Sequence, residues 1–393
     1  MPRFVRLIAL LSVLSLVIAA CGGDGTGEGT TTSTGDGGTT SSTGDGGTTS
    51  STADGGGEGA ACAADEVDGD LNFYNWSEYI DPELITAFEE QYGVDVVEDF
   101  YDSNEALIAK LQAGSVYDLI VPSDYMVGIM IDEGLLAEIQ RDAVPNLANL
   151  DPFFADPAYD PGGVYSAAYQ WGTTGLGVNL SIVGEDFEPS WALVFDTSLT
   201  DNYPGGVQLL NDPRETMGAA LKYLGFSLNT TDLDALQQAA DLIAEAKGNI
   251  TAFDSDQYDE NLVAGEVAVA HGYSGNFFTA FADVDDPDNW AYVIPEEGGT
   301  VWIDNMAVPT AADHPCTAHT FINYLLDAEN GAALTNWNYY ASPNAASEEF
   351  ILEEILTDET IYPSDELSAK LEIITDTGDF EINFTDYFAI AKG

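Results

Sequence analysis

The chain has 393 residues and a mass of 41.8 kDa, and it sets 9 Lys and Arg against 68 Asp and Glu for a formal charge of -59. Hydrophobic residues make up 45% and aromatics 11%, too many for a disordered acidic polymer, so most of the chain folds, with length for two or three domains. The charge argues against nucleic acid or an anionic lipid surface as partner, because phosphates are repelled. A cationic ligand suits it, although such an excess also reads as a solubility device in salty surroundings, where screening shortens its reach to a few ångströms.

From the start, Arg3 and Arg6 precede an apolar run over 7–20, which ends at Cys21. A basic head, a short apolar core and small residues before the break read as a secretory signal over 1–20, and the run is shorter than the roughly 20 residues of a membrane-spanning helix. Ile18-Ala19-Ala20-Cys21 is similar to the lipobox of bacterial lipoproteins, which implies that Cys21 becomes an acylated N-terminus and a membrane anchor. Residues 21–65 follow as a linker of mostly Gly, Ser, Thr and Asp, in which the nine-residue stretch at 35–43 recurs unchanged at 44–52. This composition buries too little apolar surface to offset chain entropy and predicts a flexible tether. Cys62 and Cys316 remain, in an exported chain, as either a disulfide or two separate thiols. His271, His314 and His319 do not have the spacing of a zinc site, and no metal or cofactor is expected.

The folded body reads as alternating strands and helices. A strand over 71–76 leads to Asp81-Pro82, an N-cap with Pro in the first turn, and to a helix stopped by Gly93. A strand over 94–100, a helix capped by Ser103 and a strand over 117–121 complete βαβαβ. The pattern resumes with a strand over 207–210, a helix opening at Asp212-Pro213, a helix over 231–247, a strand over 267–270 and a helix over 317–326. Such alternation predicts an α/β fold with a mainly parallel sheet. Two α/β units suggest two lobes and a cleft, with ligand residues beyond the carboxyl ends of the strands.

Those positions hold aromatics and carboxylates: Trp76, Ser77, Glu78 and Tyr79; Ser123 and Tyr125; Asp212 and Glu215; Tyr273; then Trp302 and Asp304, with Tyr340 downstream. Arg214 is the one basic residue among them. Aromatic faces attract organic cations, and a desolvated ammonium needs a carboxylate or hydroxyl to accept its protons. An alkyl-ammonium ligand fits this set. Each residue also has a plainer role. Trp76 and Trp302 suit a core, Asp212 suits a helix N-cap with Glu215 closing a capping box, and Tyr340 suits loop packing.

Four stretches together identify a resemblance: Phe73 through Tyr79 (FYNWSEY), DLIVPS at 118–123, GTTGLGVN at 172–179 and GTVWID at 299–304. They resemble the bacterial spermidine/putrescine-binding proteins, extracytoplasmic receptors of polyamine ABC transporters, from about Leu71 to the C-terminus. The resemblance implies a two-lobed periplasmic-binding-protein fold of type II character with the ligand cleft between lobes. It implies one lobe of 66–177 with 303–348 and another of 178–302 with 349–393, a polyamine ligand, a permease partner and no enzymatic activity. It also implies that Trp76, Ser77, Tyr79, Ser123, Tyr125, Asp212, Glu215, Trp302, Asp304 and Tyr340 contact the ligand, with Glu78 beside them. Tyr273 stands where many members have Trp, and a Gln that some members use near the C-terminus has no counterpart. Three carboxylates suit a three-charge ligand, but Glu78 complicates the count and leaves spermidine against putrescine open. A monomer is expected. A tethered polyamine sensor, or a secreted glycoside hydrolase using paired carboxylates, stays open as an alternative.

Overall fold

The computed structural model describes residues 61–393; the signal run, Cys21 and the linker as far as residue 60 lie outside the described residues. Nine strands form one sheet: β1 (Leu71–Trp76), β2 (Val96–Tyr101), β3 (Leu119–Ile120), β4 (Ser166–Asn179), β5 (Val207–Leu209), β6 (Ile250–Phe253), β7 (Val269–Tyr273), β8 (Trp290–Val293) and β9 (Thr300–Ala307). Their order is β2-β1-β3-β9-β4-β7-β5-β6, with β8 also paired to β4.

Two parallel units stand at the ends of that order. β1 pairs in parallel with β2 and β3, and β5 pairs in parallel with β6 and β7. Between them run β4 and β9, antiparallel to each other and to their outer neighbours β7 and β3. The sheet is therefore mixed, which corrects the expectation of a mainly parallel one. The two middle strands escape a reading by pattern because β4 is built from Ser, Thr, Ala and three Gly instead of a run of branched residues. The strand expected over 117–121 shortens to two residues, and β7 runs on to Tyr273.

Helix starts follow their caps. Asp81 accepts from the Glu83 amide ahead of the helix Pro82–Tyr92, which Gly93 ends at φ +71° by donating its N–H to the Glu89 carbonyl. The Ser103 hydroxyl accepts from the Ala106 amide before the helix Asn104–Gln112. Asp212 accepts from both the Arg214 and Glu215 amides before the helix Pro213–Tyr223. Glu215 does not close a capping box, because its two oxygens take hydroxyl protons from Thr174 and Thr300.

Separate apolar clusters back the two parallel units. Phe73, Phe88, Leu119, Trp302 and Phe321 belong to one cluster; Leu176, Trp191, Val207, Ile243 and Phe384 belong to another. Burial at about 25 cal/mol per Å² of apolar surface makes each a substantial core. Cys62 and Cys316 form a disulfide across 254 positions with Cα atoms 5.2 Å apart. It fixes the start of the described chain to the helix Pro315–Leu325, where Asp68 also accepts from the Thr317 amide at 3.0 Å.

Candidate functional site

Strand ends from both parallel units converge on one cleft of about 800 Å³ of empty space, partly open to solvent. All twelve candidate side chains line it. Trp76 ends β1, and Ser77, Glu78 and Tyr79 follow it; Ser123 and Tyr125 follow β3. Asp212 and Glu215 stand at the start of the helix after β5, Tyr273 ends β7, and Tyr340 follows the helix Ala328–Asn338. Trp302 and Asp304 do not follow a strand, as the sequence pattern suggests, but lie within β9 opposite Gly172 and Gln170 of β4. Alternate positions on an extended segment send both side chains to one face.

The aromatic wall centres on Trp302. Its ring lies 5.2 Å from Tyr340, 6.0 Å from Tyr273 and 6.4 Å from Tyr79, each edge to face. Gly172 makes this possible, since a Cβ there would come within 2.7 Å of the Trp302 ring. Gly275 does the same for Tyr340, at 2.6 Å. Trp76 is held from behind by its indole N–H, which donates to the Val121 carbonyl at 2.9 Å. By contrast, the Trp302 indole nitrogen is buried without a protein partner, and the Tyr79 hydroxyl, buried without a well-aligned bond, lies close enough to Asp304 to favour its charged form. Buried polar atoms of this kind are rare where nothing is meant to meet them.

Asp124, Asp212, Glu215 and Asp304 are 1–5% exposed, so the cleft wall holds four desolvated carboxyls. Asp304 accepts the Ser123 hydroxyl at 2.6 Å. Ser123 is itself fixed by two hydrogen bonds with Asn104, whose Nδ2 donates to the Ser123 hydroxyl oxygen and whose Oδ1 accepts from the Ser123 amide, 3.0 Å each. Burial pushes Asp304 up to about 7, against the Ser123 hydrogen bond that favours its charged form. Burial likewise pushes Glu215 up to about 7 against its bonds from Thr300 and Thr174. Asp212 is raised by burial and then by the Glu215 charge; one of its oxygens carries both helix amides. Asp124 is raised to about 8 by burial, although it accepts the amides of Tyr125 and Ile303.

Among the described residues no Lys or Arg lines the cleft. Arg214, between Asp212 and Glu215 in sequence, is 2% exposed and turns to other partners. Its charge favours the ionised forms of Asp124, Asp212 and Glu215 only as the weakest of the influences on each. Its guanidinium bonds both Glu381 oxygens at 2.7 and 2.8 Å, Asn229 at 2.9 Å and the Thr375 carbonyl at 3.2 Å. Leaving several carboxyls dry and unpaired costs several kcal/mol per ionised group, and an ammonium offsets that cost where it donates to them. The arrangement can therefore bind an organic cation by charge at defined points and by aromatic faces between them.

Other wall residues escape the sequence reading. Tyr101 ends β2 and Asp102 and Asn104 follow it, and Ser255, Asp256 and Tyr258 follow β6. The rule of searching after strands finds both groups once it is applied to β2 and β6. Asn276, three residues past the end of β7, belongs to the same post-strand pattern, and Ile374 also lines the cleft with no local pattern to mark it.

A mixed α/β sheet with antiparallel middle strands and a deep cleft at strand ends defines a solute-binding protein. The chain belongs to the bacterial extracellular solute-binding proteins, whose family profile matches residues 83–363. It is 36% identical over 313 residues to the putrescine/cadaverine-binding protein of Pseudomonas aeruginosa, covering 78% of this chain and 88% of that one. It is 33% identical over 336 residues to the spermidine/putrescine-binding periplasmic protein of Escherichia coli, covering 85% and 94%. Among solved structures, the TpPotD lipoprotein of Treponema pallidum superposes with a TM-score of 0.71 at 32% identity, over 82% of this chain and 99% of the other. The spermidine/putrescine ABC transporter substrate-binding protein PotD of Streptococcus pneumoniae superposes with a TM-score of 0.66 at 32% identity, over 83% and 100%. Three of these four are named as binding proteins.

Proposed function

We propose that the chain is an extracytoplasmic solute-binding lipoprotein that captures putrescine and spermidine and hands them to the permease of an ABC transporter. The observation that carries this reading is the set of buried carboxyls among aromatic rings with no protein cation facing them. Relatives named for putrescine and spermidine support the choice of cation. Asp304 takes one terminal ammonium, Asp212 with Glu215 takes another, and the methylenes lie along Trp302 and Tyr340. The Tyr79 hydroxyl accepts from an amine nitrogen.

The ligand closes two lobes, 66–177 with 303–348 and 178–302 with 349–393, each containing one of the two parallel strand units. Cys21 carries the lipid anchor, and the Gly, Ser and Thr linker spaces the body from the membrane. The protein works as a monomer. Titration calorimetry at pH 8 with putrescine, spermidine and 1,4-butanediol tests the ligand class, because the diol keeps the four-carbon span and lacks the charges. The two amines should bind at micromolar concentration or below and the diol should give no heat. Equal binding of the diol, or no binding of either amine, overturns the reading.

A further inference from the structure

A second cavity of about 970 Å³ adjoins the cleft, and Glu78, Asn276 and Tyr340 belong to both walls. Its remaining wall includes Asp259, Glu260, Asp283 and Trp337, and it contains no Lys or Arg. In a chain of charge -59, acids at a surface usually mean no more than a hydrated face. Asp259 is different. It is 4% exposed, and its Oδ1 is buried with no donor in good hydrogen-bond geometry; the nearby amides of Glu260 and of Asp259 itself offset only part of the cost of its burial. Its neighbours sharpen the conflict: Glu78, from the loop after β1, and Glu260, beside it on the helix Tyr258–Val263, both add negative charge at Asp259. A carboxyl kept dry next to two others is costly unless something positive reaches it. Trp337 and Tyr340 supply apolar faces on which methylenes can lie.

Position gives the ligand. In the main cleft, Asp304 and the Asp212–Glu215 pair serve the end ammoniums of a di- or triamine. A longer linear amine has a further ammonium, and past the shared wall residues Glu78, Asn276 and Tyr340 the buried carboxyl it meets is Asp259. We infer that the adjoining cavity is an additional ammonium subsite, centred on Asp259, through which the protein binds linear tetraamines such as spermine; the inference rests on the polyamine reading of the main cleft. Asp259 accepts the terminal ammonium, and Glu260 and Glu78 stabilise it at longer range.

Titration calorimetry of the full chain at pH 8 with spermine, spermidine and putrescine, repeated on Asp259→Asn and Glu260→Gln, tests this. Asp259→Asn should weaken spermine about tenfold and putrescine less than twofold, so that putrescine also reports a correctly folded cleft. Glu260 is exposed, and Glu260→Gln should act in the same direction and more weakly, about twofold to threefold on spermine. Equal losses for spermine and putrescine, spermine unaffected in both variants, or a wild type that binds putrescine but not spermine each overturn the subsite and leave the main-cleft reading standing. A wild type that binds none of the three amines overturns both.

Discussion

The β2-β1-β3 and β6-β5-β7 units share a strand order, with the first strand of each in the middle, yet they furnish opposite walls of the cleft with different chemistry. The first unit brings mostly rings and hydroxyls, Trp76, Tyr79, Tyr101, Ser123 and Tyr125, with the separate carboxyls Glu78, Asp102 and Asp124 among them. Asp304 joins its side through a bridge from β9 to Ser123. The second unit brings the acid pair Asp212 and Glu215 at a helix start. Asp304 has a built support, running from Asn104 through the Ser123 hydroxyl to one carboxylate oxygen. Asp212 divides its duty, with one oxygen on the helix amides. Like scaffolds thus carry unlike sites, and the chemistry has to be argued from the strand ends themselves.

The largest effect should come from breaking that asymmetry at Asp304. Asp304→Asn should weaken spermidine by about 2–5 kcal/mol, because it leaves an ammonium buried without its carboxylate. Asp212→Asn should cost less, since Glu215 stands beside it and the Asn side-chain oxygen can still cap the helix. Calorimetric titration of both variants measures the difference. Equal losses would mean that the two walls contribute alike.

A smaller effect concerns pH. Asp124, Glu215 and Asp304 have folded-state values raised to about 7 or 8, above those of an unfolded chain. The folded form then holds more protons than the unfolded form between about pH 4 and pH 8, so their contribution to stability is full at low pH and is lost as pH rises through 7. His271, in the second unit, acts in the opposite sense. Burial lowers it to about 3, so its contribution is present above about pH 6.5 and is lost as pH falls towards 3. Above pH 6.5 His271 is neutral in the folded state and loses only its remaining half proton in the unfolded one, a gain of about 0.4 kcal/mol that the carboxyls outweigh. The ligand-free melting temperature should fall by about 2–5 °C from pH 6.5 to pH 8.5, and saturating spermidine should raise it more at pH 8.5 than at pH 6.5. Calorimetric scans at the two pH values check both signs.

Much of the site is legible in the chain because its residues sit in local patterns. FYNWSEY carries the end of β1 and the three residues after it, and Asp212 precedes Pro213 at a helix start. Asp124 is passed over although it lies between Ser123 and Tyr125, since nothing local distinguishes a cleft carboxyl from one of many surface acids. The middle strands β4 and β9 are hidden for a different reason. Their Gly and Thr positions serve close approach to Trp302 and hydroxyl bonds to Glu215, and neither contact has a period along the sequence. The orientation of Arg214 is equally nonlocal, because it depends on Glu381, 167 positions away. Between acids in sequence, Arg214 looks like their neutralising partner; in the fold it leaves their charge to the cleft.

The most direct measurement is a crystal structure of the complex with spermidine. One terminal nitrogen should lie about 3 Å from an Asp304 oxygen, another nitrogen should lie about 3 Å from Asp212 or Glu215, and the carbon chain should lie against Trp302. Spermidine bound outside this cleft, or inside it with no nitrogen within hydrogen-bond reach of Asp304, would contradict the assignment of the cleft as a polyamine site built on that carboxylate.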